Sequence, residues 1–321
     1  MEYANLGLTG PRVSRLAFGC EQLGGTDWGR YEVREVMDAV AAAWEQGVTT
    51  FDVADVYGLG LAEERLAQAL GAARRDAIIV TKFGVGWRSE GGRERATTFR
   101  DASPEHLVRA LEGSLRRLRI DCIPVYLLHW PDGRTPLEST LEALQRQREA
   151  GKIRSFGLSN CTSADVAILA RAGAEVVECE YSLAHAHDTA LLEAAARAGV
   201  GTLAYGVLAR GMLTGKFGRD SRFGPGDRRR RLPDFGPDAL ERSTLLTRAL
   251  AEIGEGLGRT PAQVAIRWAL DTGSVSCAIV GSKTRDQLAA NLGAVGWTLP
   301  ADAWRLLADD AKSLWPQHGS P

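Results

Sequence analysis

The sequence predicts a (β/α)8 barrel, an α/β fold, and three observations predict it. From residue 15 onward eight short apolar runs alternate with stretches whose apolar residues recur at i, i+3 and i+4. Strands alternating with helices imply a parallel sheet, and eight such units in about 300 residues suit a closed barrel. The open-sheet alternative requires G-x-G-x-x-G after an early strand. The nearest approach, "GLGLAE" at 58–63, lacks the third glycine.

The elements follow in order. Residues 3–14, "YANLGLTGPRVS", read as a short hairpin turning at Thr9, Gly10 and Pro11, placed to cap the bottom of the barrel. The first four strands are expected at 15–19 (RLAFG), 49–54 (TTFDVA), 77–83 (AIIVTKF) and 123–129 (IPVYLLH). The last four are expected at 155–160 (SFGLSN), 175–182 (EVVECEYS), 201–208 (GTLAYGVL) and 276–282 (SCAIVGS). Ser103, Pro104 and Glu105 form an N-cap, an N1 proline and an early acid. Gly47, Gly71, Gly151, Gly173 and Gly199 each close a helical pattern. A polar stretch at 217–243 follows the seventh strand and is too long for a plain connection. Its arginines 228–231 read as a solvated or ligand-covering loop. One barrel domain over 1–321 is the expected organisation.

Composition excludes several classes. The 321 residues carry 39 basic and 40 acidic side chains, a net charge of −1, which leaves no footprint for nucleic acid. Five scattered cysteines without C-x-x-C read as reduced thiols. No apolar run reaches the roughly 18 residues of a membrane span, and the first residues lack a secretory pattern. The expected compartment is the cytoplasm. The sequence is compatible with a monomer and with a homo-oligomer.

A barrel builds its active site at the C-terminal ends of its strands. Asp52 lies near the end of the second run, Tyr57 in the loop beyond it, Lys82 near the end of the third, and His129 ends the fourth. Singly, each is an ordinary strand-end residue reaching for solvent. Together they make a proton-transfer device. An ammonium about 4 Å from a phenolate stabilises it by up to about 4 kcal/mol at an effective dielectric of about 20. The phenol is therefore expected to drop by roughly two to three units from its usual value of about 10, less the cost of desolvating its charged form. Asp52 would keep Lys82 charged, and a neutral His129 would orient a carbonyl oxygen.

"FDVADVYGLGLAEE", "VTKFG", "LLHWPD", "GKIRSFGLSN" and "AYGVLARGMLTGKF" resemble, in order, the motifs of the aldo-keto reductases, over about residues 3–297. The resemblance implies a barrel that binds a nicotinamide cofactor without a Rossmann domain. It makes Asp52, Tyr57, Lys82 and His129 the catalytic tetrad, with Tyr57 the general acid. It gives Ser159 and Asn160 to the nicotinamide carboxamide, Tyr205 to the nicotinamide ring, and Leu208 and Lys216 to the pyrophosphate. "VGSKTRDQLAANLGAV" at 280–295 matches the adenosine segment, bringing in Gly281, Ser282, Lys283, Gln287 and Asn291. Lys283, entering a helix N-terminus, suits a 2′-phosphate and favours NADPH over NADH.

Three positions depart from the family pattern. Glu178 in "ECEYS" stands where a glutamine usually holds the carboxamide, and a carboxylate accepts from an amide but cannot donate. Ala290 replaces an acid that recognises adenine, and "AYGVLARG" replaces the commoner Y-S-P-L. Asp55 reads as loop solvation, and Glu63 and Glu64 as acids in the first turn of a helix. The His185–His187 pair lacks a third ligand at a recognisable spacing, so no metal is expected.

Trp28, Trp87 and Trp130 follow the first, third and fourth strands and are candidate walls for a substrate pocket. Arg88, Arg93, Arg95 and Arg100 would suit a polar or anionic carbonyl compound, or simply solvate a charged loop. The expected activity is NADPH-dependent reduction of an aldehyde or ketone, or the reverse on a sugar alcohol. Two alternatives are a nicotinamide-binding regulatory subunit of the same fold and a Schiff-base lyase using Lys82.

Overall fold

The computed structural model describes residues 1–88, 96–185 and 189–315. All eight apolar runs become parallel strands: β3 (Leu16–Gly19), β4 (Thr50–Asp52), β5 (Ile78–Phe83), β8 (Ile123–Leu128), β9 (Ile153–Ser159), β10 (Val176–Glu180), β11 (Gly201–Tyr205) and β12 (Cys277–Gly281). They neighbour one another in chain order, and β12 pairs back onto β3 to close the barrel. The intervening helices are α1 (Val33–Glu45), α2 (Leu61–Leu70), α3 (Pro104–Leu118), α4 (Leu137–Glu149), α5 (Asp165–Arg171) and α6 (Thr189–Ala198). After β11 come α7 (Pro237–Leu257) and α8 (Pro261–Leu270), and after β12 come α9 (Arg285–Leu292) and α10 (Ala301–Leu314).

The helix ends follow local chemistry. Ser103 caps α3 by accepting from the His106 amide at 3.2 Å, with Pro104 at the first position. Thr260 and Gln263 form a reciprocal capping box on α8.

The N-terminal hairpin pairs β1 (Tyr3–Asn5) with β2 (Arg12–Ser14) in antiparallel register. It plugs the bottom of the barrel as expected. Leu6 and Val13 are fully buried in one apolar cluster with Ala17, Val80, Val125, Leu127, Val176 and Leu203.

Two connections hold more structure than their polar composition announced. The stretch after β5 contains a second hairpin, β6 (Val85–Arg88) with β7 (Thr97–Arg100). Gly86 packs against the Phe99 ring, where a Cβ would stand 2.5 Å from the nearest ring carbon. The stretch after β11 contains short 3-10 turns at Arg228–Arg231 and Pro233–Phe235, and α7 already begins at Pro237. Apolar residues of α7 such as Leu240, Leu246 and Leu250, all buried, draw it onto the core.

Because side chains alternate along a strand, each barrel strand sends every second residue inward. The lower part of the interior is apolar, with Val80, Val125 and Val176. One inward step further along the same strands stand Lys82 and Glu178, and along β11 Tyr205 follows Leu203. A polar layer therefore lies directly on an apolar one. Among the described residues, no helix is long and apolar enough to cross a membrane.

Candidate active site

The polar layer is built around a buried lysine. Lys82 is fully buried, and its Nζ donates to Asp52 Oδ2 and, at 3.2 Å, to the Val53 carbonyl. Glu178 Oε2 stands 3.3 Å from the same nitrogen, with its side chain 4% exposed. One cation thus faces two carboxylates. Burial alone would lower the lysine, but Asp52 and Glu178 outweigh it and raise its pKa, so Lys82 stays charged. Glu178 is pushed up to about 8 by burial and by Asp52, against the pull of Lys82.

Tyr57 enters from the loop after β4. Gly58, at φ +59, brings this loop against Gly24, where a Cβ would lie 2.5 Å from the Gly24 carbonyl oxygen. The Tyr57 ring meets His129 edge-on with centroids 6.0 Å apart, and Lys82 Nζ is 5.9 Å from its centroid. Burial outweighs the expected depression of the phenol. Its pKa is raised well above the usual value by burial first, then by Glu21, Asp52 and Glu178, with Arg228 opposing. Asp52 and Glu178 offset part of the Lys82 charge, so burial and the acids outweigh its pull on the phenol. His129 falls to about 3 through burial and the positive charges of Lys82 and Arg100, and is neutral near pH 7.

A second network continues from Glu178. Ser159 Oγ donates to Glu178 Oε1 at 3.3 Å, and Asn160 Nδ2 donates to Ser159 Oγ at 3.1 Å and to the His129 carbonyl at 2.9 Å. Tyr205 OH donates to Asn160 Oδ1 at 2.7 Å. Asn160 has φ +57, a left-handed conformation that asparagine tolerates better than most residues. Tyr205 is thereby fixed across the barrel mouth.

These groups line a cleft of about 770 Å³ that runs from Asp52, Tyr57 and His129 to the far end of β12. Leu208, Lys216, Gly281, Lys283, Gln287 and Asn291 line that far end. There β12 passes into α9, whose N-cap Thr284 accepts from the Gln287 amide at 3.2 Å. Gln287 Oε1 in turn accepts from the Lys283 amide at 2.8 Å. Lys283 Nζ donates to the Trp28 carbonyl at 2.6 Å. Ser282 does not line the cleft: it is buried behind it and accepts from Asn291 Nδ2 at 3.0 Å.

The insertion after β11 covers this region. Asp227 bridges to Trp28, and the Arg228 amide donates to the Asp27 carbonyl at 2.9 Å. The Arg228 guanidinium reaches Glu21 at 2.6 Å and lies 4.5 Å over the Trp28 ring. Arg228 and Arg229 both line the cleft, as do Glu21 and Arg210. The sequence offered only the arginine run as a signal for them, and nothing in it linked residue 228 to residue 21.

Of the three tryptophans, Trp28 and Trp130 line the cleft and Trp87 does not. Trp87 pairs opposite Thr98 in the β6–β7 hairpin, which diverts it. Arg88 lies over Phe99 and Arg100 over Trp130, and neither reaches the cleft lining. Arg93, Arg95 and His187 fall outside the described residues. Asp55 is not a solvated loop acid: it is 1% exposed, and burial and Glu63 push its pKa well up. Glu63 is also fully buried, accepting from Thr81 Oγ1 and Arg117 Nε at 2.7 Å each, so it does more than favour a helix dipole.

A barrel cleft with a half-buried phenol and a neutral imidazole, backed by a buried charged lysine, invites comparison with known proteins. The aldo/keto reductase family model matches residues 15–309. The chain belongs to the aldo/keto reductase family. It is 32% identical over 307 residues to aldo-keto reductase YhdN of Bacillus subtilis, covering 94% of this chain and 91% of that protein. Aldo-keto reductase yakc [NADP(+)] of Schizosaccharomyces pombe is 30% identical over 293 residues, covering 88% and 84%. Among solved structures, glycerol dehydrogenase AKR11B4 from Gluconobacter oxydans superposes with a TM-score of 0.89 at 30% identity, covering 99% and 97%. As an aldo-keto reductase the chain is an oxidoreductase of a family that uses NAD(P)H and small carbonyl compounds.

Proposed function

We propose that this aldo-keto reductase reduces an aldehyde or ketone to the alcohol with NADPH, with Tyr57 as the proton donor. The observation that carries the reading is the phenol of Tyr57 beside neutral His129, with the Asp52–Lys82 pair behind it, on one cleft wall. The residues present fit the cofactor. Glu178 Oε2 is a buried oxygen without an aligned hydrogen-bond partner, close to Ser159 and Asn160, and suits a carboxamide N–H. Tyr205 offers a ring at the mouth, and Leu208 and Lys216 border the space a pyrophosphate would need. Gly281, Gln287 and Asn291, with Lys283 at the N-terminus of α9, suit an adenosine 2′-phosphate.

NADPH supplies the hydride when bound. His129, uncharged, orients the carbonyl oxygen by a hydrogen bond. Tyr57 gives that oxygen its proton, and a donor with a raised pKa is protonated throughout the neutral range. Lys82 stabilises the tyrosinate that remains, and Asp52 keeps Lys82 charged and in place. A Schiff-base role for Lys82 is disfavoured, since a nucleophilic amine must be free and this one is charged and held by two acids. Trp28 and Trp130 give flat walls, and Glu21, Arg210 and Arg228 give polar ones. That lining suits a small polyhydroxylated carbonyl compound.

The test is a fluorescence titration of the purified chain with NADPH and with NADH, followed by a screen of sugar-type aldehydes and ketones. Tighter binding of NADPH with turnover of at least one carbonyl supports the reading. Binding of neither nucleotide refutes it.

A further inference from the structure

Glu178 is an ionisable member of the polar layer that the proposed chemistry leaves without a part in proton transfer. It touches that machinery all the same. Its Oε2 lies 3.3 Å from Lys82 Nζ, opposite the contact that Lys82 makes with Asp52. Both acids are nearly shut off from solvent, at 7% and 4% side-chain exposure, and the ammonium at 0%. Charges so placed are poorly screened and act over several ångströms.

With Asp52 and Lys82 ionised the pair is neutral, and a tyrosinate beside it meets an ammonium that one carboxylate already balances. Ionised Glu178 makes the cluster net negative. A phenolate forming at Tyr57 then adds a second uncompensated negative charge to a buried site. The other groups facing this cluster do not reverse the sign. His129, just after β8, is neutral; Cys20 after β3, Tyr205 from β11 and Cys277 from β12 are held protonated by burial; and over the mouth Glu21 offsets Arg228.

We propose that Glu178 is a second counter-ion of Lys82 that keeps Tyr57 in its proton-donating form to higher pH, and so sets the pH range over which the chain reduces carbonyls and oxidises alcohols. The proposal rests on the reading of Tyr57 as the proton donor. Reduction requires the phenol, whereas oxidation requires the phenolate as base. Glu178 acts through Lys82 and Tyr57, so it is a positioning residue. The sign of its effect with pH follows from the order of ionisation. Glu178, held at about 8, ionises before Tyr57, so by the time the phenol begins to titrate the extra negative charge is in place.

The experiment compares wild type, Glu178→Gln and Tyr57→Phe. Tyrosinate absorbance is titrated on each protein without nucleotide, and the Tyr57→Phe curve is subtracted to isolate the Tyr57 transition. The Tyr57 transition is expected above that of free tyrosine in wild type and about one pH unit lower in Glu178→Gln. With NADP+ and an alcohol substrate the rising limb of oxidation, and with NADPH and a carbonyl compound the falling limb of reduction, should both move down by about the same interval. Coincident Tyr57 transitions in wild type and Glu178→Gln, with both proteins binding NADPH and turning over, overturn the proposal. So does a wild-type transition at or below that of free tyrosine, a result that needs no variant at position 178 to fold. Full turnover by Tyr57→Phe instead removes the proposed function and is distinguishable from either.

Discussion

Thr81 and Lys82 are neighbours on β5, and they serve two buried charge clusters on opposite faces of the strand. Lys82 points into the barrel and meets Asp52 and Glu178. Thr81 points out toward α2 and α3 and donates to Glu63, which also pairs with Arg117. Asp55, buried nearby, feels Glu63 and Arg117 as its main charged neighbours. The ingredients are alike: acids, a cation and little water. The difference lies in access to a cleft. The outer cluster is closed by helices: both Glu63 oxygens are bonded within the protein, and Asp55 Oδ1, which lacks a partner, is sealed from any cleft. The inner cluster borders a cleft, keeps Glu178 Oε2 without an aligned partner, and sits beside a phenol. A buried ion pair marks a functional site only when something nearby remains unsatisfied and accessible.

That contrast can be broken from either side. The largest effect is expected on the inner face. Tyr57→Phe removes one hydroxyl and should lower carbonyl turnover by about 10²–10⁴-fold while NADPH affinity stays within a few-fold. Steady-state kinetics and nucleotide fluorescence read the two quantities separately. A comparable loss of nucleotide binding would mean that Tyr57 shapes the cleft rather than the chemistry.

The outer face should answer in stability and not in turnover. Arg117→Met leaves Glu63 buried beside Thr81 without its cation, and urea unfolding should show a loss of about 2–3 kcal/mol. The Arg117 side chain is 21% exposed, which keeps the loss below that of a wholly buried pair. Turnover per folded molecule should stay within about twofold of wild type. A large fall in turnover would show that the two faces are coupled through β5.

The smallest effect concerns Asp55. Its folded pKa lies above the ordinary carboxylate range because burial and Glu63 disfavour the charged form. The native state therefore holds a proton that the unfolded chain releases, and stability from this group is lost as pH rises. Asp55→Asn should raise the melting temperature more at pH 8 than at pH 4. An equal shift at both values would mean that the carboxyl group does not titrate differently on folding.

Much of this could be read from the chain alone. The alternation of apolar runs and helical patterns gave eight strands and their order, because strand period and helix period are local properties of the backbone. Asp52, Tyr57, Lys82 and His129 could be grouped because a parallel barrel brings all strand ends to one rim. The N-terminal hairpin was likewise visible in its turn residues, and the cap on α3 in Ser103 and Pro104. The family motifs added the expected cofactor positions, of which Leu208, Lys216, Lys283 and Gln287 line the cleft.

Tertiary structure alone decided the charges. Nothing local distinguishes Asp55 from a solvated loop acid, because its burial is created by α2 and α3 closing over it. Trp87 had the spacing of a pocket wall, yet pairing of β6 with β7 turned it away. Glu178 was legible as a departure from the family glutamine, but its 3.3 Å approach to Lys82 depends on β5 and β10 facing each other across a closed barrel. The raised phenol of Tyr57 follows from that same closure. Backbone periodicity is written residue by residue, whereas an electrostatic environment is the sum over every charge the fold brings near and every water it removes.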